Sequence, residues 1–268
     1  MEPLIFHIDV NSAYLSWTST ENVRTGTGPD LRLIPAIIGG DQKNRHGVVL
    51  AKSIPAKAFG IVTGEPVATA FKKCPTLQMA APDHHLYHAY SQRLMTLLES
   101  FCPYLEQLSI DECFLDMGRR GYRREHAQAL AEEIRAEVRK LGFTVNVGIS
   151  SRKVLAKMAS DFQKPDKTHT LFPEEIKEKM WPLPVGELYM AGHSSVTTLH
   201  MLGILTIGDL ARSDRSLIES HLKSHGTLLW EYANGIDDRP VITEEPEAKG
   251  IGNSTTLAHD VTSRAEAK

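Results

Sequence analysis

Three acidic residues in two separated segments could together bind divalent cations. Asp9 ends the apolar alternation of LIFHIDV, and Asp111 and Glu112 lie together in YLEQLSIDECFLDM. Mg²⁺ takes oxygen ligands from one or two protein carboxylates and completes its shell with substrate phosphates. Two such ions about 4 Å apart can activate a hydroxyl nucleophile and neutralise the pyrophosphate that leaves a nucleoside triphosphate. In the alternative interpretation, Asp9 ends a strand and the other two acids lie in an exposed turn.

These acids can meet only if their strands are neighbours in one sheet. LIFHIDV alternates like a strand, and apolar runs on both sides of Asp111 and Glu112 predict a hairpin with both carboxylates at its turn. Helices are predicted at residues 84–101 and 124–141, followed by the strand FTVNVGI. A last helix, SSRKVLAKMASDFQ, is predicted to be capped by Ser150 or Ser151 and ended by Pro165.

This order of elements predicts an α/β (α+β) fold with a ferredoxin-like βαββαβ core. In such a core the first strand and the central hairpin lie side by side, so Asp9 and the two hairpin acids are expected on one face. A small subdomain is inserted after the first strand and extends to about Pro82. After Pro173 the pattern changes to short helical pieces, and residues 236–249 have the acidic, proline-containing composition of a linker.

Composition limits the class of protein. The 268 residues are 41% hydrophobic and 24% charged, which is ordinary for two or three globular units. No apolar run approaches the ~20 residues of a membrane span, so a soluble, cytoplasmic protein is expected. Three cysteines form no CxxC pair and are expected to be buried, unpaired residues. The net charge is −3, with +3 in residues 1–165 and −6 in 166–268, and it does not decide whether the partner is a polyanion.

Three motifs taken together identify a resemblance. DVNSAY, SIDECFLD and GISSRKVLAKMASDFQKP occur in the order in which they occur in Y-family (translesion) DNA polymerases of the bacterial kind, and the match runs from Leu4 to about Gly235. The resemblance implies a palm at 1–12 and 83–166, small fingers at 13–82 and a helical thumb at 167–237. A linker at 238–248 and the start of a truncated little-finger domain at 249–268 would follow.

The same resemblance implies an activity and its partners. The chain is expected to extend a primer 3′-hydroxyl on a DNA template, with deoxynucleoside triphosphates and two Mg²⁺ ions, and to copy damaged bases with low fidelity. It is expected to be a monomer without a membrane partner. A sliding clamp would bind through a C-terminal region beyond this chain, and weak DNA affinity is expected from the shortened little finger.

The resemblance also assigns the metal ligands. Asp9, Asp111 and Glu112 would be the catalytic carboxylates, and the backbone carbonyl of Val10 would add a fourth ligand. Asp9 and Asp111 would bridge both ions. Glu112 would hold the ion that lowers the pKa of the primer hydroxyl.

Four residues are implied in nucleotide binding. Tyr14, five residues beyond Asp9 and beside Ala13, matches the steric gate that excludes a 2′-hydroxyl; alternatively it packs between fingers and palm. Lys164 matches a lysine that reaches the triphosphate, although a lysine there could also complement a helix C-terminus. The fourth residue, Lys57, lies in the fingers.

Lys157 and Asp161 precede Lys164 on the predicted helix. Their spacing suggests that they hold Lys164 by charge pairing.

The fingers depart from the family pattern. Ile54 and Lys57 stand where many members have a tyrosine and an arginine, and Ala51 stands at a threonine position, for which Lys52 and Ser53 could compensate. Lysine keeps the charge but loses the bidentate fork of arginine. Weaker triphosphate binding is therefore expected.

A turn in the thumb is a candidate for binding DNA. Met190, Ala191 and Gly192 occupy the position of a helix-hairpin-helix turn, whose backbone N–H groups bind a phosphate without reading sequence. The alternative is an ordinary helical hairpin.

Two other functions remain open at this point: a non-catalytic, polymerase-like DNA-binding protein, and a nucleotidyl cyclase with a similar palm.

Overall fold

The computed structural model describes residues 3–40, 47–244, 250–254, 257 and 261–266. Parts of the expected fingers, linker and little-finger segments therefore lie outside the described residues. The strands are β1 Ile5–Val10, β2 Ala36–Gly39, β3 Val49–Lys52, β4 Gln78–Ala80, β5 Leu105–Gln107, β6 Glu112–Asp116, β7 Val145–Ser150 and β8 Thr168–Thr170. The helices are α1 Ala13–Thr25, α2 Ile54–Lys57, α3 Val67–Lys73, α4 His84–Phe101, α5 Ala127–Lys140, α6 Lys153–Asp161, α7 Ile176–Lys179, α8 His193–Met201, α9 Ile207–Arg212 and α10 Arg215–Ala233.

The chain divides into two compact units. The first unit comprises Met1–Asn11 and Ser91–Glu244, and the second unit comprises Ser12–Tyr90 and Glu245–Lys268. A five-stranded sheet in the order β5-β6-β1-β7-β8 lies in the first unit. β1 is central and pairs antiparallel with both β6 and β7, while β7 and β8 are parallel.

The predicted ferredoxin-like order is confirmed. After β1 and the insertion, the chain continues through α4, β5, β6, α5, β7 and α6. Helix α6 packs closely on the sheet at Gly148 of β7, where an added Cβ would lie 1.9 Å from the Ala156 carbonyl oxygen. Only glycine permits this approach, so the helix that carries Lys157 is fixed close to the central strands.

The predicted capping of α6 is wrong. The helix begins at Lys153, and Ser150 Oγ instead donates a hydrogen bond to the Leu171 carbonyl oxygen. The backbone N–H of Val154 donates to Asp237 Oδ2 at 2.9 Å, so a carboxylate from far along the chain does the capping. The helix also ends at Asp161, before Pro165.

The helical region predicted after residue 173 is present and shares a core with α6. Val154, Leu155 and Met158 pack in one buried cluster with apolar residues of α7 to α10, including Leu199 and Leu229. The first unit is therefore held together by α6, which contacts the sheet on one side and this helical cluster on the other.

The second unit contains a three-stranded sheet in the order β3-β2-β4. β2 is antiparallel to β3 and parallel to β4. One apolar cluster packs α2 and α3 beneath this sheet through Ile37, Ala56 and Val67. A second cluster joins α1 to the sheet through Leu15 and Ile38.

Cys74, Cys102 and Cys113 are free and buried, as predicted. Within the described ranges, no helix combines the length and apolar character that crossing a bilayer requires.

Candidate active site

The structure brings the two acidic segments together at one end of β1. Asp9 and Glu112 are direct partners in the register of β1 and β6. The backbone N–H of Val10 donates to the Asp111 carbonyl oxygen at 3.0 Å, so the turn before β6 is tied to the end of β1. Ser109 Oγ donates to Asp111 Oδ1 at 2.7 Å. The four predicted metal-binding residues are therefore neighbours.

Two lysines of the α6 region contact these carboxylates. Lys164 Nζ lies 2.9 Å from Asp9 Oδ1 and 2.9 Å from Asp161 Oδ1. Lys157 contacts Glu112 Oε2 directly. Asp161 thus pairs with Lys164 as expected, whereas Lys157 supports a carboxylate rather than Lys164.

The two facing carboxyls have opposite pKa shifts. The ring of His7 and the ammonium of Lys157, both beside Glu112, lower the pKa of its carboxyl to about 2 against the effect of burial. Burial raises the pKa of Asp9, although Lys164 opposes the shift. Burial also acts to lower the pKa of Lys164, but the nearby carboxylates raise it overall. Glu112 is therefore strongly favoured as an anion, whereas burial works against the charge of Asp9 and Lys164 supports it.

His7 is a residue of this site that the sequence reasoning missed. Its ring is fully buried, with Nδ1 2.8 Å from Ser160 Oγ and Nε2 3.3 Å from Glu112 Oε2, outside hydrogen-bond geometry. Burial is the main cause that lowers the pKa of His7, so the ring is neutral at pH 7. Its position two residues before Asp9, on the same face of β1, was the available signal.

A buried pair of amides, also missed, fixes the segment that carries Lys164. Asn146 Nδ2 donates to the carbonyl oxygens of Ser160 at 2.8 Å and Gln163 at 2.7 Å. Asn11 Nδ2 in turn donates to Asn146 Oδ1 at 3.1 Å. Since Asn146 faces Asp9 in the register of β1 and β7, the end of α6 is tied to the carboxylate end of the sheet. The available signal in the sequence was Asn146, a polar residue inside the apolar run FTVNVGI.

The donor set at this end of β1 consists of oxygens. Among the residues that the structure describes, no three or more His, Cys, Asp and Glu side chains form a group that could hold a metal ion. The carboxylates contact ammonium groups, and the fourth predicted donor is a backbone carbonyl. A cation site formed by these oxygens therefore stays a prediction, in which a substrate would complete the shell of a hard divalent ion.

The other predicted nucleotide residues lie in the second unit. Ala13 and Tyr14 form the start of α1, where Ala13 is buried and the half-buried ring of Tyr14 stacks on Tyr87 with centroids 4.3 Å apart. Lys57 is exposed at the end of α2, and Ile54 at its start is 60% exposed.

The idea that Ser53 compensates for a missing phosphate ligand is wrong. Its hydroxyl is buried, donates to the Ile34 carbonyl oxygen at 2.7 Å and accepts from the N–H groups of Ala36 and Ala56. Lys52 can still compensate for the missing threonine, because its side chain is partly exposed. Burial and the charge of Lys57 lower the pKa of Lys52.

The candidate DNA-binding turn is present as a tight turn before α8. Met190 has a positive φ of 71°, and Gly192 is the N-cap residue of α8. The N–H of Ala191 donates to the Leu188 carbonyl oxygen, and that of Gly192 donates to the Met190 carbonyl oxygen, each at 2.9 Å. Both N–H groups are therefore engaged within the turn, and a role in binding DNA stays a prediction.

Comparison with known proteins gives one family. Residues 8–161 match the model of the impB/mucB/samB family. The chain is 52% identical over 265 residues to "DNA polymerase IV" of Clostridium acetobutylicum, covering 98% of this chain and 66% of that protein. It is 38% identical over 265 residues to "DNA polymerase IV 1" of Bacillus subtilis, covering 98% of this chain and 62% of that protein. The chain thus spans slightly less than two thirds of the length of these relatives.

Solved structures agree in fold. DinB from Sulfolobus solfataricus superposes with a TM-score of 0.77 at 24% identity, over 89% of this chain and 69% of that one. A chimera of Y-family DNA polymerases superposes with a TM-score of 0.78, also at 24% identity and with the same coverage. These likenesses confirm the predicted α/β fold.

Proposed function

Since the chain belongs to the impB/mucB/samB family, we propose that it is a template-directed DNA polymerase that copies damaged bases with low fidelity. The observation that carries the proposal is the register of β1 and β6, which sets Asp9 opposite Glu112 and next to Asp111. The names of the relatives, DNA polymerase IV, support the same activity. In this proposal, residues 1–12 and 83–166 form the palm, 13–82 the fingers and 167–237 the thumb.

The carboxylates of Asp9, Asp111 and Glu112 and the carbonyl of Val10 are the proposed ligands of two Mg²⁺ ions. All four donors are oxygens, which Mg²⁺ prefers, and substrate phosphates commonly complete its shell. When bound, two such ions lower the pKa of an attacking hydroxyl and neutralise the leaving pyrophosphate. Lys157 contributes by keeping Glu112 ionised and in place, and the buried ring of His7 lies beside the same carboxylate.

Lys164 is the proposed cation for the triphosphate. Its ammonium lies beside Asp9 and Asp161, at the end of the sheet where the reacting phosphate would enter. A phosphate oxygen can take the place of a carboxylate oxygen beside this point charge. The Asn11–Asn146 pair keeps the segment that carries Lys164 tied to the sheet during that exchange.

The remaining substrate contacts are assigned from the second unit and from α8. Tyr14, flanked by Ala13, is the proposed gate against a 2′-hydroxyl, and Lys57 is a proposed triphosphate contact. The turn Met190–Gly192 is proposed to lie against the DNA backbone. We further propose that the polymerase acts as a monomer and that a sliding clamp is one of its partners.

Single-nucleotide extension of a labelled primer tests the proposal. Excess protein, Mg²⁺ and low salt would offset weak DNA binding. We expect extension by the natural chain and none by Asp111→Asn. Asp116→Asn, at the opposite end of β6 and paired in register with Ile5, is the matched control and is expected to retain extension.

Three outcomes would contradict the proposal. DNA binding without extension at any protein concentration would favour the non-catalytic function. Cyclic nucleotide formed without DNA would favour a cyclase. Equal extension by Asp111→Asn and the natural chain would show that extension does not require the Asp111 carboxylate.

A further inference from the structure

The ring of Tyr14 rests on a second, fully buried tyrosine. The ring centroids of Tyr14 and Tyr87 lie 4.3 Å apart, and their planes differ by 7°. Tyr14 belongs to the first turn of α1 and Tyr87 to the first turn of α4, both in the second unit. Tyr14 is half-buried, whereas Tyr87 is 0% exposed. The stack therefore has one partly exposed ring supported by one that cannot leave the core.

A hydrogen-bond relay joins the same two residues a second time. Thr18 Oγ1 donates to the Tyr14 carbonyl oxygen at 2.8 Å and lies 3.1 Å from the Tyr87 hydroxyl. Because a threonine hydroxyl has one hydrogen, which is used on Tyr14, the Tyr87 hydroxyl must be the donor to Thr18. Tyr87 thus supports the ring of Tyr14 directly and its backbone through Thr18.

The surrounding rings prevent Tyr87 from moving back. Trp17 is fully buried, and its ring centroid lies 6.0 Å from that of Tyr87. His84 meets the edges of both tyrosines, at 6.1 Å from Tyr14 and 5.9 Å from Tyr87. A displacement of Tyr87 would have to open a close-packed core, which is costly.

We propose that Tyr87 is a positioning residue for sugar selection, a rigid support that fixes how far the ring of Tyr14 projects. This inference rests on the proposed function, in which Tyr14 excludes a 2′-hydroxyl. Steric exclusion of one oxygen atom depends on small distances, because a displacement of about 1 Å is enough to change a reaction rate substantially. If the ring beneath Tyr14 could move, Tyr14 would shift and admit a ribonucleotide. The fixed ring of Tyr87 prevents that shift.

The test is the ratio of kcat/KM for a deoxynucleotide to that for the matching ribonucleotide, in single-nucleotide primer extension. Tyr87→Leu removes the supporting ring, and we expect it to lower the ratio on the order of tenfold, mainly by raising ribonucleotide efficiency. Tyr87→Phe keeps the ring and should retain most of the selectivity. Tyr90→Phe, one turn later on α4 and bonded to Glu21, is the matched control and should leave the ratio unchanged. Tyr14→Ala gives the ratio without a gate.

A merely structural role of Tyr87 would lower the efficiency for both nucleotides and leave their ratio intact. If Tyr87→Leu fails to fold, as judged by thermal unfolding, Tyr87→Met provides a flexible, non-aromatic side chain of similar reach. An unchanged ratio in the folded variant, with the ratio lost in Tyr14→Ala, would overturn the inference and leave the proposed function intact. A natural chain that extends no primer would instead overturn the proposed function, and the inference with it.

Discussion

Asp237 accepts a 2.9 Å hydrogen bond from the backbone N–H of Val154, and so caps α6 from 83 positions further along the chain. Its carboxylate is 1% exposed and also receives Nε and Nη2 of Arg239 at 2.7 and 2.9 Å. Since α6 carries Lys157 towards Glu112, the segment after α10 helps to fix the helix behind the candidate active site. This segment was expected to be a linker, and its first residues are built into the first unit.

Asp237→Asn is expected to destabilise the protein by about 2 kcal/mol. The amide is a weaker acceptor for the first turn of α6, and Arg239 loses its charged partner. Chemical denaturation monitored by circular dichroism measures the effect. Asp238→Asn is the matched control, because Asp238 is 81% exposed and pairs with Arg152 on the surface, where such pairs contribute little. Equal losses in the two variants would contradict the capping role.

The stabilisation by Asp237 should depend on pH. Burial acts to raise the pKa of Asp237, but Arg239 and the Val154 N–H lower it overall below its ordinary value of 3.8. A carboxyl whose pKa is lower in the folded state stabilises the protein above its unfolded pKa, and this stabilisation is lost as the pH falls through the folded value. The difference in unfolding free energy between the natural chain and Asp237→Asn should therefore be constant from pH 7 to 5 and shrink below about pH 4. A difference that persists unchanged at pH 2.5 would disprove the linkage.

Lys223→Gly is expected to stabilise the protein. Lys223 interrupts α10 with φ 56° and ψ −144°, close to a region that is essentially confined to glycine. Relief of this strain, reduced by the greater chain entropy of glycine in the unfolded state, should give about 1 kcal/mol. Lys223→Ala keeps the Cβ and should give no gain, so the two variants separate backbone strain from the loss of an exposed lysine. Equal stability of the two would argue against strain at this residue.

Lys164→Met should weaken productive nucleotide binding under the proposed function. Loss of a charge-assisted contact to phosphate is expected to lower kcat/KM for the incoming deoxynucleotide about 10–100-fold in primer extension. Lys164→Arg retains the charge and should recover part of the loss. Lys140→Met, at the exposed end of α5 where Lys140 pairs with Glu137, should have no effect. A change in DNA affinity with unaltered nucleotide dependence would assign Lys164 to the DNA instead.

Lys57→Arg should improve nucleotide binding. Lys57 is exposed at the end of α2, and an arginine there would present a bidentate fork to phosphate in place of a single ammonium. We expect the KM for the incoming deoxynucleotide to fall by at least about threefold at constant kcat. Lys72→Arg on the neighbouring helix α3 is the control substitution. An unchanged KM would show that Lys57 does not contact the triphosphate.

Most of the fold could be predicted from local patterns. The alternation in LIFHIDV, the hairpin around Asp111 and Glu112, and the apolar periodicity of α4 and α5 all gave elements that the structure contains. Their order then implied that β1 lies beside β6. Connections between strands are short and have a preferred handedness, and few arrangements of a βαββαβ chain satisfy both conditions. The meeting of Asp9 with Glu112 follows from that order.

The supports of the site could not be predicted in this way. The sequence determined which residues end the strands, because side-chain alternation and turn chemistry are properties of neighbouring residues. Only the tertiary structure decided that Asp237 caps α6, that Lys157 pairs with Glu112 and that Tyr87 lies under Tyr14. Each of these contacts joins residues 45 or more positions apart, and such contacts depend on how whole elements pack. A hydrogen-bond donor or a ring acquires its partner only when packing brings both to the same place, and no local pattern in the chain records that outcome.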